Sequence, residues 1–68
     1  MADSVFKKIQ LVGTSPNSFS AAAANAIAKA AQTEAYLSWF EVVEQRGSVV
    51  NGKIHQYQVT VNIGMKME

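Results

Sequence analysis

The sequence predicts an α+β fold, a single β-α-β-β subunit whose three-stranded antiparallel sheet, in the order 1-3-2, carries one helix on one face. Three observations carry this. An alanine-rich stretch shows helical periodicity between two segments of strand character. The second of those segments is followed at once by a third. Between these two lies Asn51-Gly52, a strong short hairpin signal.

The first strand is read over residues 4 to 12. Val5, Ile9 and Leu11 share one face, interrupted by Lys7, while Phe6, Lys8, Gln10 and Val12 point the other way. Gly13-Thr14-Ser15-Pro16-Asn17 ends it with loop-forming residues. Ser18 is the N-cap candidate, with Asn17 and Ser20 as alternatives. The helix is predicted from Phe19 to about residue 35, where nine alanines fall between positions 21 and 35. Phe19, Ala22, Ala23, Ala26, Ile27 and Ala30 form one stripe, and Asn25, Lys29 and Gln32 lie opposite.

Residues 38 to 47 and 53 to 65 are the two remaining strands. With Asn51-Gly52 at the turn, Phe40 should oppose Ile63, Val42 oppose Val61, Glu44 oppose Val59 and Arg46 oppose Tyr57. The other face then pairs Trp39 with Gly64, Glu41 with Asn62, Val43 with Thr60 and Gln45 with Gln58. A bulge near Ser48 to Val50 would shift the outer pairs. A right-handed crossover from the first strand to the second leaves a gap that the third can fill, hence the order 1-3-2. The helix should cover the face of Phe40, Val42, Tyr57, Val59, Val61 and Ile63. The other face stays open and half polar.

Composition narrows the function. The 68 residues make one domain, spanning 1–68, with 49% hydrophobic and 16% charged residues and a net charge of +1. No dense basic stripe exists to neutralise a nucleic-acid backbone. The chain has no cysteine, so thiolate chemistry and disulfides are excluded. No apolar run approaches the roughly 18 residues of a membrane span, and no charged-then-apolar leader is visible, so the cytoplasm is the expected compartment. A domain this small buries only about 60% of its unfolded surface and is marginal alone. With no disulfide and few metal ligands, self-association is the expected staple.

Trp39 is the most informative side chain. Opposite a glycine on an open face, its indole is available either to pack in a subunit interface or to stack on a planar ligand. Gln45, Gln56 and Gln58 are expected on the same face, and their amides match a heterocycle edge of alternating carbonyl and N–H groups as well as they match solvent. Gln58 lies six residues along the ladder from the position opposite Trp39, roughly 20 Å at strand rise. A site using both must be shared between subunits. Arg46 and Lys66 are cations near strand ends, suited to a phosphate or to ordinary surface charge. His55 has no second histidine or cysteine with which to hold a transition metal, so no metal site is assigned. Glu41 and Glu44 should point to opposite faces and cannot pair. No nucleophile elbow, Walker motif or dinucleotide fingerprint is present, so no catalytic residue is assigned and no enzyme is expected.

Leu11-Val12-Gly13-Thr14-Ser15, the alanine-rich helix, Trp39-Phe40-Glu41-Val42-Val43-Glu44, Arg46-Gly47, Asn51-Gly52-Lys53, Tyr57-Gln58-Val59 and the terminal Gly64-Met65-Lys66-Met67-Glu68 together resemble the dodecins, over nearly the whole chain. The resemblance implies a hollow homododecamer that binds flavin, FMN or riboflavin, between tryptophans of neighbouring subunits. It implies that Trp39 stacks on the ring and that Gln58 hydrogen-bonds its pyrimidine edge. The Trp-Phe pair and the C-terminal segment look like the bacterial type, in which FMN is the usual ligand and coenzyme A binds some members. There an arginine often stands where this chain has Lys66, which keeps the charge but lacks the bidentate fork. The function so implied is storage, buffering and photoprotection of free flavin, with quenching by the adjacent indole. The rival reading is a cofactor-free structural or interaction module, and the third a small flavoenzyme. A flavin-fluorescence titration separates the first from the others.

Overall fold

The computed structural model describes residues 3–67, so Glu68, the last residue of the terminal motif, lies outside the described residues, as do Met1 and Ala2. The elements run β1 (Val5–Ser15), α1 (Phe19–Ala31), β2 (Leu37–Val50) and β3 (Lys53–Met67). The sheet is three-stranded, in the order β1-β3-β2, and both pairings are antiparallel.

Local chemistry sets the element ends. The Ser18 hydroxyl accepts a hydrogen bond from the Ala21 amide at 3.0 Å, capping α1 at its N-terminus. Ser15 is buried, and its Oγ accepts from the Asn17 amide at 3.0 Å to hold the entry turn. The helix stops at Ala31, about one turn short of the sequence expectation. The Thr33 and Glu34 amides both donate to Ala30 O, tightening the last turn, and Tyr36 then takes a positive φ of 63° that reverses the chain into β2. At the hairpin Asn51 and Gly52 have φ of 53° and 75°, the left-handed pair required by a two-residue turn whose twist matches its strands.

The β2–β3 register agrees with the expectation at both ends and departs from it in the middle. Trp39 faces Gly64, Phe40 faces Ile63, Glu41 faces Asn62 and Val42 faces Val61, as anticipated. Val43 is then an extra residue on β2, so Glu44 faces Thr60, Gln45 faces Val59 and Arg46 faces Gln58. The irregularity between Ser48 and Val49 leaves His55 unpaired on β3 and restores the register at Val49–Ile54 and Val50–Lys53. These two bulges lie on opposite strands and cancel, while a third irregularity, between Leu37 and Trp39, leaves Ser38 unpaired at the start of β2. Between the two bulges every β2 side chain has changed face relative to an unbroken alternation: Glu44 and Arg46 join the open face, and Gln45 turns to the helix side.

The core lies where α1 meets β3. Ala22, Ala26 and Ala30 are buried against Val59, Val61, Ile63 and Met65, with Ile9, Leu11, Ala23 and Ile27 packed around them. The helix sits over β1 and β3 rather than over β2. Gly13 explains the placement: a Cβ there would fall 2.0 Å from Ala22 O and 2.9 Å from Ala26 Cβ, so strand and helix touch backbone to backbone. Drawn toward β1, the slim alanine face does not reach β2. Phe40 and Val42, expected under the helix, remain 51% and 47% exposed.

Candidate functional site

The open face carries Phe6, Lys8, Gln10, Val12 and Thr14 from β1. From β3 it carries Gln56, Gln58, Thr60, Asn62, Gly64 and Lys66, and from β2 Trp39, Glu41, Glu44 and Arg46. Its aromatic end is built on a glycine. A Cβ at Gly64 would lie 2.2 to 2.5 Å from Cε2, Cζ2 and Cδ2 of Trp39, so the indole rests on the bare backbone of β3. One face of the ring is therefore covered by the sheet. The residue remains 41% exposed. The Phe6 ring stands 6.1 Å from the indole, tilted by 47°. Lys66 lies two positions beyond Gly64 on β3, opposite Phe6, so its cation belongs to this same end.

The middle of the face is a polar ladder across all three strands. Gln10 Nε2 donates to Asn62 Oδ1 at 3.0 Å, and Asn62 Nδ2 donates to Glu41 Oε1 at 3.1 Å. Lys8 Nζ meets Glu41 Oε1 at 2.8 Å. The hydrogen bond from Lys8, with a further one from Asn62, holds the Glu41 carboxyl below its ordinary pKa. Thr60 Oγ1 donates to Glu44 Oε1 at 3.4 Å. Glu41 and Glu44 thus share a face, against the expectation, because the Val43 bulge turns Glu44 over. Each is committed to its own partners, Glu41 to Lys8 and Asn62, Glu44 to Thr60 and Arg46.

The far end holds the amides. Arg46 Nε donates to Gln58 Oε1 at 3.0 Å, and Gln58 Nε2 donates to Gln56 Oε1 at 3.0 Å, so the orientation of the Gln58 amide is fixed. Arg46 Nη1 also stands 3.8 Å from Glu44 Oε1. Gln45, expected beside these amides, is instead on the helix side. The four sequence-derived site residues therefore fall into two groups. Trp39 and Lys66 occupy one end, Arg46 and Gln58 the other, about 20 Å apart along β3.

Phe6 was legible as an open-face residue but not as the neighbour of Trp39, because the β1–β3 register carries no turn signal. The Arg46–Gln58 contact was hidden by a bulge that no glycine or proline marks in Val42-Val43-Glu44. On the helix side a groove of about 640 Å³ runs between α1 and β2, lined by Phe19, Ala23, Ile27, Phe40, Val42 and Gln45, among others. Among the described residues no group of three or more His, Asp or Glu side chains is placed to hold a metal ion, and no helix is long and apolar enough to cross a membrane.

A slim-helix β-α-β-β subunit with a one-sided sheet, an indole seated on a glycine and a hydrogen-bonded glutamine amide at the far end defines a class of small single-sheet α+β proteins. The chain belongs to the dodecin family: the dodecin family model matches residues 5–68. It is 42% identical over 64 residues to the dodecin of Thermus thermophilus, covering 94% of this chain and 93% of that one. The dodecin structure from Streptomyces coelicolor superposes with a TM-score of 0.94 at 35% identity, covering 100% of this chain and 97% of the other. A calcium dodecin of Mycobacterium tuberculosis, described as having a novel calcium-binding site, superposes with a TM-score of 0.82 at 35% identity over 94% and 91% of the two chains.

Proposed function

We propose that this chain is a non-enzymatic flavin-binding protein, acting in the cytoplasm as a homododecamer that stores, buffers and photoprotects FMN or riboflavin. The single observation that carries the reading is the Trp39 indole seated on Gly64, with one face against the sheet and the residue still 41% exposed. An isoalloxazine ring fits such a platform, supplying a planar π-surface and, when excited, an electron acceptor. Trp39 holds the ring by dispersion and quenches its fluorescence. Gln58 and Arg46, too distant within one subunit, serve the heterocycle edge from another. Lys66, at the indole's end of the sheet, attracts the phosphate of FMN, and the same charge suits coenzyme A as a second ligand.

The test is a titration of FMN fluorescence with the purified parent and with Trp39→Ala. Stacking on an aromatic is worth about 1–3 kcal/mol in the analogous base-stacking case, so Kd should weaken roughly five- to 150-fold and quenching should fall. Equal affinity in the two proteins would remove the stacking mechanism. The exposed Phe40 and Val42 favour a second reading, a cofactor-free assembly module, which predicts an oligomer that leaves flavin fluorescence unchanged.

A further inference from the structure

A guanidinium and two amides at the far end of the open face form a chain of hydrogen bonds that runs one way. Arg46 Nε donates to Gln58 Oε1 at 3.0 Å, and Gln58 Nε2 donates to Gln56 Oε1 at 3.0 Å. A glutamine amide alone has no preferred sense, since a half-turn about its last torsion exchanges oxygen for nitrogen. A guanidinium carries only donors, so the Arg46 side of Gln58 admits only the oxygen. The Glu44 carboxylate, an acceptor, stands 3.8 Å from Arg46 Nη1 and faces the guanidinium as well.

Gln56 decides whether that sense is kept. It stands two residues before Gln58 on β3, on the same face and, like Gln58, partly buried. Its oxygen is the acceptor that Gln58 Nε2 needs once Oε1 is turned to Arg46. Across the ladder, Ser48 Oγ is buried and has no hydrogen-bond partner among the described residues, so it makes no rival claim on either amide. With both neighbours engaged, Gln58 keeps one lone pair on Oε1 and one N–H on Nε2 for a ligand. The acceptor lies on the Arg46 side and the donor on the Gln56 side.

We propose that Gln56 is a positioning residue for ligand binding: by accepting from Gln58 it locks the order in which that amide offers acceptor and donor, so that an N–H beside a carbonyl on a heterocycle edge is read in one direction only. On the flavin reading above, on which this rests, the edge is that of an isoalloxazine, whose ring N–H lies between two carbonyls. An amide free to turn can pair that N–H together with either carbonyl. A locked amide engages one of them for a given face of the ring against the indole, and so sets the direction in which the ring lies. It also gives up less rotational freedom on binding.

Two substitutions separate the acceptor from the bulk of the side chain. Gln56→Met keeps its length without the acceptor, and Gln56→Glu keeps an acceptor with no donor. Riboflavin, which has no phosphate, and its N3-methyl derivative are titrated by flavin fluorescence against the parent and both variants. The parent should prefer riboflavin about tenfold, the worth of one ligand hydrogen bond lost to the methyl group. Gln56→Met should lose several-fold of that preference and Gln56→Glu should restore it. In the ligand-free protein, exchange of the Arg46 Nε–H with water, followed by NMR, should quicken several-fold in Gln56→Met and not in Gln56→Glu. If Gln56→Met keeps the parent's preference and exchange rate, or Gln56→Glu behaves as Gln56→Met does, the role of Gln56 is overturned and flavin binding stands. A parent that binds both flavins equally also overturns it, because the ring N–H is then not read. A parent that binds neither removes the flavin reading and this role together.

Discussion

The Trp39 indole lies on the backbone of Gly64, so close that a methyl group at Gly64 would overlap Cε2 of the ring at 2.2 Å. The residue facing the tryptophan is therefore part of the platform. It fixes how near the indole comes to the sheet and which of its faces is offered to a partner.

Gly64→Ala tests this directly. The new Cβ cannot coexist with the seated ring, and since Trp39 is partly exposed, the indole can swing outward instead of straining the strand. The expected outcome is a modest loss of stability, about 1 kcal/mol, with a loss of flavin affinity that approaches that of Trp39→Ala. Thermal melts and fluorescence titrations on the same samples read the two effects. A variant that binds as the parent does would show that the seat is not needed.

Gly13→Ala should behave in the opposite manner. The atom it would meet is the Ala22 carbonyl oxygen at 2.0 Å, which belongs to helix backbone and cannot rotate away. The whole of α1 must lift from β1, at a cost of about 1–3 kcal/mol. For a domain of this size that is a fall in Tm of roughly 4–24 °C. The open face, on the other side of the sheet, should keep its hydrogen bonds. Stability falls first here, and binding only as the folded fraction falls.

The Lys8–Glu41 contact gives a pH dependence with a defined direction. The Glu41 pKa is lowered from 4.5 by the hydrogen bonds from Lys8 and Asn62 and by the charge of Lys8. Any stabilisation from the pair is then fully present above about pH 4.5 and is lost as the pH falls through the lowered pKa. Both side chains are about half exposed, so the contribution is small and screened by salt. Following the Glu41 carboxyl carbon by NMR should show a midpoint below that of a free glutamate, rising in Lys8→Met. An unchanged midpoint in that variant would mean that Lys8 is not the cause.

What could be read from the residues was what local chemistry fixes. Ser18 capped the helix, Asn51-Gly52 closed the hairpin, and counting back from the turn placed Phe40 opposite Ile63 and Trp39 opposite Gly64, with ten and eleven residues intervening on each strand, because the two bulges between them cancel. The strand order followed from handedness. What could not be read was where the helix sits laterally and where the ladder slips. The first depends on the Gly13 contact, a tertiary approach that looks in sequence like a loop glycine. The second depends on Val43, a β-branched residue that scores as ordinary strand. That one slip moved Glu44, Gln45 and Arg46 to the wrong faces and hid the hydrogen bond that orients Gln58. Trp39, Gln58, Arg46 and Lys66 were legible as chemistry, but their division into two distant pairs needed the ladder.

Deleting Val43 would test the bulge itself. In an unbroken ladder, removing one strand residue reverses the facing of everything beyond it. Here Val43 is the surplus residue: Val42 already faces Val61 and Glu44 already faces Thr60, the adjacent position. The deletion should leave Gln45 in the groove and Glu44 and Arg46 on the open face, preserving the hydrogen bond from Arg46 to Gln58. Only the extra twist that a bulge adds to its strand would be lost. The expected cost is about 1 kcal/mol, a Tm lower by roughly 4–8 °C, with hydrogen-exchange protection retained at the β3 amides that pair with β2. Deleting Val42 instead removes a facing residue from the ladder and puts Val43 in its place, so the groove floor is rebuilt rather than left intact. If the Val43 deletion unfolds the chain or exposes the Gln45 side of the strand to the open face, the two-bulge register is incorrect and the orientation of Gln58 must have another origin.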